Sequence, residues 1–142
     1  MNFGMLGGGG SPLLFCIGMD DLVHVQTMDA RGFWSGWSPG MDGPVKQICA
    51  ARDPNGLPVL FAIGLNDQVY VRGSDPQGRW SPWSLVSPGP VRKVSCGYDA
   101  SGRLMLFAIG MDGQAYIQNT DPQGNWRGWA LTAQGAVKDL SA

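Results

Sequence analysis

The sequence predicts an all-β fold built from three similar sheets, and three observations support this prediction. The chain has 142 residues, of which 22 are glycine and 10 are proline, and both residue types interrupt helices. Its apolar residues do not recur with a period of 3.6 over any stretch long enough to form a helix. The sequence also repeats itself at an interval of 46 residues, which is typical of stacked supersecondary units.

The repeat covers almost the whole chain without an insertion or deletion. All six tryptophans belong to it, because FWSGWS, RWSPWS and NWRGWA each contain a Trp-x-x-Trp pair. Other positions recur at the same interval, including an apolar run, a turn aspartate and a valine followed by Lys or Arg. They are Phe15, Phe61 and Phe107; Gly18, Gly64 and Gly110; Asp29, Asp75 and Asp121; and Val45, Val91 and Val137. The sequence therefore contains three copies of one unit.

The middle copy shows which elements the unit contains. The apolar run VKQICAA, residues 45–51, predicts a first strand, and RDPNG predicts the turn after it. LPVLFAIGL, residues 57–65, predicts a second strand, which a tight turn joins to the alternating third strand QVYVRGS, residues 68–74. DPQGR predicts a turn in which Asp75 caps the backbone. WSPWSLV, residues 80–86, is predicted as the fourth strand.

Four short strands in a repeat of this length predict a β-propeller blade. The second strands LLFCIG, VLFAIG and LMLFAIG are apolar almost throughout, as expected where a neighbouring blade covers each face of the sheet. A trefoil or a solenoid is the alternative, but its usual repeat lengths and strand counts fit less well. We therefore expect one domain of three four-stranded blades, over residues 1–44, 45–90 and 91–136.

Three blades are too few for a closed ring, because propellers usually have about four to eight. Two chains supply six blades, so we expect a homodimer that forms one six-bladed ring, with a nine-bladed homotrimer as the alternative. The segment AVKDLSA, residues 136–142, copies the PVKQICA element that starts a blade, whereas MNFGML lacks its Val-Lys pair. We expect the first blade to have a poor inner strand, and residues 137–142 to form a clasp strand that completes or contacts the first blade of the neighbouring chain.

The pattern Leu-x-Leu-Phe-Ala-Ile-Gly-x-Asp/Asn-x-x-x-Tyr, followed by Trp-x-x-Trp, resembles the repeat of bacterial propeller lectins of the PLL type. The stretch SGRLMLFAIGMDGQAYIQ…NWRGWALTAQG, residues 101–135, is similar to the family's unit, and the resemblance extends over all three copies. It implies a fucose-binding lectin that holds sugars in grooves between adjacent blades, against the blade tryptophans. The family often has further aromatic or His residues just after the Tyr, where this chain has Val71, Gly73, Ile117 and Asn119.

The Trp pairs are the first candidate binding residues. On a strand, positions i and i+3 point to opposite faces, so one indole can pack between blades while the other faces a groove. An exposed indole is a platform for the apolar C–H face of a pyranose, and its N–H can donate a hydrogen bond. Packing of both indoles between blades is the alternative. The candidates are Trp34, Trp37, Trp80, Trp83, Trp126 and Trp129.

The third strand of each copy supplies a second candidate set. Alternation places residues i and i+2 on one face, where a ring and a polar side chain can together orient sugar hydroxyls. An ordinary strand with a solvated rim is the alternative. The pairs are His24 and Gln26, Tyr70 and Arg72, and Tyr116 and Gln118. Their variation predicts that the three grooves are not equivalent.

The composition argues against several other classes of function. The net charge is −1 and no run of Lys or Arg occurs, so we expect no nucleic-acid partner. No apolar run approaches the roughly 18 residues of a membrane helix, so we expect no membrane insertion. The three cysteines lack metal-ligand spacing and the hairpin tips carry too few carboxylates for calcium, so we expect no metal and no cofactor. MNFGMLGGGG lacks the basic and apolar regions of a signal peptide, so we expect cytoplasmic synthesis, with release on lysis or export by another route.

Catalysis is not expected either. His24 is the only histidine, so a nucleophile system of the Ser-His-Asp or Cys-His kind would have a single candidate base with no motif around it. A glycosidase needs two carboxylates at a defined separation, and this short repeat leaves no long loops to hold them. Two hypotheses remain. The first is a multivalent lectin, and the second is a structural or protein-interaction propeller without a sugar ligand.

Overall fold

The computed structural model describes residues 3–6 and 12–139, and this part of the chain is all-β. Among these residues, no helix is long and apolar enough to cross a membrane. The strands are β1 (Phe3–Leu6), β2 (Leu13–Ile17), β3 (Val23–Thr27), β4 (Val45–Arg52), β5 (Pro58–Gly64), β6 (Val69–Gly73), β7 (Ser84–Ser87), β8 (Val91–Tyr98), β9 (Leu104–Gly110), β10 (Gln114–Asn119) and β11 (Ala130–Ala136).

Each repeat forms one antiparallel sheet whose strands follow one another in chain order. The second repeat forms the sheet β4-β5-β6-β7, and the third forms β8-β9-β10-β11 in the same order. The register also repeats, because Phe61 pairs with Cys49 and Val71, and Phe107 pairs with the residues 46 positions after those two. The prediction of an all-β fold made of propeller blades is confirmed.

The predicted turn chemistry is also present. In the turn between β6 and β7, the Asp75 carboxylate accepts hydrogen bonds from the backbone N–H groups of Gln77 at 2.9 Å and Arg79 at 2.8 Å. Gly78 has a positive φ of 83°, which a side chain would oppose. The same cap occurs at Asp29 and Asp121. These aspartates therefore stabilise turns, as predicted.

The fourth strand of the second repeat differs from the prediction. It begins at Ser84, whereas a strand was expected from residue 80, and Trp80 makes only an isolated bridge to Ser74. Pro82 has no N–H to donate to a ladder. The Gly73 N–H donates to the Ser81 hydroxyl oxygen at 3.0 Å, instead of to a backbone carbonyl of a regular ladder. The Trp-x-x-Trp segment is thus irregular, and the prediction that strand alternation orients its indoles is wrong.

The expectation of four strands in every blade is wrong for the first repeat. Its described sheet is β1-β2-β3, and its Trp segment makes only a bridge between Met28 and Trp34. Pro39 and Gly40 stand where β7 has a leucine and a valine. Proline cannot donate to the ladder and glycine weakens a strand. The segment still follows β3, since the Ser38 N–H donates to a β3 carbonyl at 2.9 Å.

The first blade has a short inner strand in its own chain. β1 has four residues, whereas β4 and β8 each have eight. Phe3 pairs with Cys16, and Ile48 pairs with Ala62 at the equivalent place. β1 therefore corresponds only to the second half of β4. In the first blade, no described residue occupies the place of residues 45–47.

The predicted clasp strand is described over residues 137–139, and residues 140–142 lie outside the described residues. The Val137 N–H donates to the carbonyl of Gly113 at 2.8 Å. The equivalent bonds join Val45 to Asp21 at 2.9 Å and Val91 to Asp67 at 2.8 Å. Val137 therefore lies where the inner strand of a following blade would start.

Two apolar clusters join successive blades. One lies between the first and second sheets and contains Phe15 and Leu60. The other lies between the second and third sheets and contains Phe61 and Leu106. Leu60 and Phe61 are adjacent on β5 and point to opposite faces. The central sheet is therefore apolar on both faces, as its continuous apolar run predicts.

Candidate functional site

Two surface clefts are related by the 46-residue repeat. The second-repeat cleft, of about 340 Å³, is lined by residues 43–45 and 64–66 together with Tyr70 and Trp83. The third-repeat cleft, of about 360 Å³, is lined by residues 88–91 and 110–112 together with Tyr116 and Trp129. Small-molecule sites typically have volumes of roughly 300–1,000 Å³. Each cleft is therefore large enough for a ligand of the size of a monosaccharide.

The indole wall of the second-repeat cleft is held rigidly. The Trp83 Nε1–H donates to the backbone carbonyl of Asp42 at 2.9 Å. The Arg72 guanidinium lies 4.8 Å from the centre of the Trp83 ring, a cation–π arrangement. Arg72 is buried, and its Nε–H donates to the Ser81 carbonyl at 2.8 Å. Arg72 therefore supports Trp83 from within the protein.

The third-repeat cleft is supported differently. Gln118 replaces Arg72, is buried, and accepts hydrogen bonds from the Ser87 hydroxyl and the Gly128 N–H, both at 2.8 Å. The Nε1–H of Trp129 is buried and has no hydrogen-bond acceptor within the described residues. Gln118 thus holds Ser87 and Gly128, which are next in the chain to the cleft residues Pro88 and Trp129. The Nε1–H of Trp129 itself makes no hydrogen bond among the described residues.

A glycine forms the floor of each cleft because two side chains lie over it. A Cβ atom added at Gly110 would lie 2.8 Å from both Asp112 Oδ1 and Tyr116 Cε1. At Gly64 it would lie 3.1 Å from the equivalent atoms of Asn66 and Tyr70. Distances this short require neighbouring atoms to move, so these glycines are needed for the shape of the clefts.

The polar groups at the rim differ in hydrogen-bond direction. In the second-repeat cleft, the Asn66 side-chain amide donates to the Tyr70 hydroxyl oxygen at 2.8 Å, which leaves the Tyr70 O–H available to a ligand. In the third-repeat cleft, the Tyr116 O–H donates to Asp112 Oδ2 at 2.5 Å. This bond and the N–H of Gln114 lower the pKa of the Asp112 carboxyl, and the carboxylate raises the pKa of Tyr116. The second cleft thus presents a donor and the third a charged acceptor.

The first repeat carries a related set of side chains without a complete cleft. His24 lies in the place of Tyr70, and its ring nitrogens lie 2.8 Å from the Ser38 carbonyl and 3.0 Å from the Asp20 carboxylate. The Ser38 carbonyl, and then Asp20, raise the pKa of His24. Trp37 is 48% exposed. Gln26, two residues after His24, is half-buried on β3.

In the second and third repeats, the first tryptophan of the pair packs between blades. The ring of Trp80 meets Phe15 of the preceding blade edge-on, with 5.8 Å between centroids. Trp126 meets Phe61 in the same way at 5.7 Å. The equivalent Trp34 is 38% exposed, and its ring contacts no other described ring at this geometry. In the second and third repeats, the first indole thus packs between blades, and the second lines a cleft while it also packs against the apolar cluster between the blades.

Sequence reasoning missed the cleft floor and rim. Asn66 and Asp112 lie in the tight turns between the second and third strands, and both line clefts. A signal was available in the stretches GMDDLVH, GLNDQVY and GMDGQAY, in which glycine is followed at i+2 by Asp or Asn and at i+6 by His or Tyr. This repeated spacing indicates that the glycine, the polar hairpin residue and the ring of the third strand belong to one site.

A wider cavity of about 600 Å³ lies beside the inner strands and has a different character. Its described lining includes Ile17, Leu65, Lys46 and Lys93, and no aromatic side chain. Both lysines form ion pairs, with Asp67 and with an aspartate at position 139. The cavity offers no stacking surface, and therefore fits a sugar less well than the two smaller clefts.

No protein-family model and no curated protein matches the sequence. Solved structures share the fold at low identity. A fucose lectin from Kordia zhangzhouensis in complex with methyl-fucoside gives a TM-score of 0.62 at 14% identity, over 93% of this chain and 99% of that chain. A triple arginine-to-alanine mutant of AofleA from Arthrobotrys oligospora gives a TM-score of 0.72 at 8% identity, over 98% of this chain and 43% of that chain.

An exo-1,5-alpha-L-arabinanase from a bovine ruminal metagenomic library also shares the fold. Its TM-score is 0.62 at 15% identity, over 89% of this chain and 52% of that chain. This chain therefore spans about half the length of AofleA or the arabinanase. At these identities the likeness establishes the propeller fold, which lectins and glycosidases share.

Proposed function

We propose that this chain is a multivalent carbohydrate-binding protein, a lectin, that holds fucose or a related monosaccharide in the second- and third-repeat clefts. One observation carries the proposal. Two clefts of monosaccharide size occur at the same place in two repeats, each with an indole wall, a tyrosine and a polar partner. The fucose lectin structure that shares the fold, and the resemblance to PLL-type repeats, support the same class of ligand.

Binding at one cleft rests on stacking and a few hydrogen bonds. The apolar face of the pyranose lies on Trp83 or Trp129, and the hydroxyls bond to the Tyr70 O–H in one cleft or to the Asp112 carboxylate in the other. Such sites are individually weak. Several of them on one rigid body raise the overall affinity for a surface that displays many glycans.

A non-catalytic role is part of the proposal. Glycosidases act with a pair of carboxylates, about 5–5.5 Å apart in retaining enzymes and about 6.5–9.5 Å apart in inverting enzymes. Among the described lining residues, the second-repeat cleft contains no carboxylate, and the third contains Asp112 as its only one. We expect no hydrolysis of aryl glycosides.

A structural or protein-interaction propeller is the second candidate. The bond from Trp83 Nε1 to the Asp42 carbonyl and the Arg72 contact favour it, because both are features of a packed side chain. The two functions predict different effects of Trp83→Ala. A platform loses sugar affinity, whereas a packing residue loses mainly folding stability.

The test is calorimetric titration with methyl-fucoside, after a glycan array has shown which sugars bind. Trp83→Ala and Trp129→Ala should each remove one site per chain or lower its affinity by at least about tenfold, which is about 1.4 kcal/mol. Phe33→Ala is the matched control, because Phe33 is an exposed aromatic residue outside both clefts. An array without any bound sugar would contradict the proposal.

We further propose a homodimer in which two copies close a six-bladed ring, with a nine-bladed homotrimer as the alternative. The support is an unmatched pair of surfaces. Phe15 and Phe61 are fully buried against the Trp of the next blade, whereas Phe107 is only half-buried. Trp34 is the one packing indole with a large exposed fraction among those described. Light scattering should give twice the mass of one chain, and the mass of a single chain would exclude ring closure between copies.

A further inference from the structure

The first repeat holds one half of a third cleft. Its residues occupy the cleft positions of the second repeat at the 46-residue interval: Gly18 for Gly64, Asp20 for Asn66, His24 for Tyr70 and Trp37 for Trp83. The floor has the same crowding, since a Cβ atom added at Gly18 would lie 2.7 Å from Asp20 Oδ1 and 3.0 Å from the His24 ring. The described part of the first repeat contains no counterpart of residues 43–45, which close the second-repeat cleft.

The other half of this cleft lies at residues 135–137. Gly43, Gly89 and Gly135 recur at the 46-residue interval, and their φ values are 92°, 130° and 128°. A Cβ atom added at Gly43 would lie 3.1 Å from Trp83 Cδ1, and one at Gly89 would lie 3.5 Å from Trp129 Cδ1. At Gly135 no described atom lies within 4 Å. Residues 135–137 thus form a cleft edge without an indole, and Trp37 is an indole without an edge.

We propose that the two halves meet between two copies of this chain and form a third carbohydrate-binding cleft. Trp37, His24 and Asp20 come from one copy, and residues 135–137 come from the neighbouring copy. The ligand class rests on the function proposed above, whereas the contact between the halves does not. Packing of Trp34 on the neighbouring copy's Phe107, by analogy with Trp80 on Phe15, brings the halves together.

The composite cleft has its own chemistry. His24 Nδ1 faces the Ser38 carbonyl, so this nitrogen donates its hydrogen and the imidazole cannot accept a bond there. Nε2 lies against the Asp20 carboxylate. The remaining lone pairs of the Asp20 carboxylate oxygens are available to a ligand and can accept hydrogen bonds from sugar hydroxyls. The cleft therefore suits a neutral monosaccharide, and a dimeric ring would contain six clefts, of which two require the dimer.

The contact can be tested without any sugar. In the full-length chain, Trp37→p-benzoylphenylalanine should give photo-cross-links between chains, with the linked peptide containing residues 135–137. The matched variant Trp83→p-benzoylphenylalanine should link within one chain to residues 42–45. Cross-links from position 37 that stay within one chain, or that reach another region of the neighbouring copy, would overturn the proposal.

The ligand site is tested by counting bound methyl-fucoside molecules in native mass spectra. The wild-type dimer should bind six, and Gly135→Val should bind four because the added side chain fills the place of the partner indole. Gly124→Ala is the control for a substitution at positive φ, since Gly124 has a φ of 86° and no atom within 4 Å of an added Cβ. It should bind six.

Mixing two defective copies gives the sharpest result. A heterodimer of one Trp37→Ala copy and one Gly135→Val copy has both defects in one composite cleft and none in the other, so it should bind five. Four bound sugars in the wild type, together with cross-links between chains, would show a contact without a ligand site and would overturn the composite cleft. If the wild type binds none, the lectin function fails as well, while the cross-links still decide whether the halves meet.

Discussion

Trp80→Ala and Trp34→Ala remove the same side chain from the same repeat position in two different settings. The Trp80 ring meets Phe15 at 5.8 Å with an interplanar angle of 84°, inside one chain. Trp34 is 38% exposed and has no equivalent ring contact among the described residues. If two copies form a ring, Trp34 packs on the neighbouring copy's Phe107. The first substitution should therefore affect folding, and the second should affect assembly.

The expected magnitudes follow from these contacts. Replacing a buried Trp by Ala costs about 3–5 kcal/mol of unfolding free energy. Trp80 is half-buried, so we expect the lower end, about 3 kcal/mol, of which the edge-on ring pair supplies about 0.5–1.5 kcal/mol. A symmetric dimer contains two Trp34 contacts. If Trp34→Ala removes half of this free energy, about 1.5 kcal/mol, at each contact, the dissociation constant of the dimer rises by more than about a hundredfold.

Urea unfolding at two protein concentrations distinguishes the two effects. Trp80→Ala should lower the midpoint by the same amount at both concentrations, because the lost contact lies within one chain. Trp34→Ala should lower it chiefly at the higher concentration, where the wild type is dimeric. Light scattering on the same samples should show Trp34→Ala as single chains. If Trp34→Ala assembles like the wild type, or if both variants behave alike, the reasoning on blade packing between copies is refuted.

Two other predictions follow from the clefts. Gly110→Ala should abolish binding in the third-repeat cleft, because the added Cβ displaces the Asp112 carboxylate, and circular dichroism should show an intact fold. Gly73→Ala is the control and should bind normally, since an added Cβ there would lie 3.8 Å from its nearest neighbour. Equal binding by both variants would contradict the role of the glycine floor. The pKa of His24 is raised above its usual 6.5, so its contribution to stability should be complete below about pH 6.5 and lost as pH rises through the folded-state pKa. The pKa of Asp20 is lowered, first by the N–H of Leu22, so its contribution should be lost only as pH falls below its usual 3.8. Melting temperatures should be measured from pH 3 to 9. In His24→Gln, the decrease in melting temperature at the high-pH end should disappear, and an unchanged profile would argue against a stabilising pair of His24 and Asp20.

Much of the fold could be predicted because it depends on local chemistry. Alternation and apolar runs of four to eight residues indicate strands wherever they occur, and β4, β5 and β6 lie close to their predicted bounds. The turn at Asp75 was predictable for the same reason, since its cap involves atoms no more than four residues away. The continuous apolar run of β5 indicated a sheet covered on both faces.

The candidate site was less predictable, because its parts are distant in the chain. Trp83 is held by Asp42, 41 residues earlier, and the burial of Arg72 behind that indole has no signature in strand alternation. The backbone of the Trp-x-x-Trp segment departs from a strand at Pro82, so spacing alone did not show which indole packs and which lines a cleft.

The repeat in the sequence established how many blades the chain contains and which residues are equivalent, since self-similarity needs no coordinates. Only the tertiary structure showed that these equivalent residues have unequal surroundings. Phe15 and Phe61 are covered by the tryptophan of a following blade, and Phe107 is not. The physical reason is that an inter-blade residue is buried by two neighbouring blades together, and among the described residues the first and third sheets each pack against one other sheet.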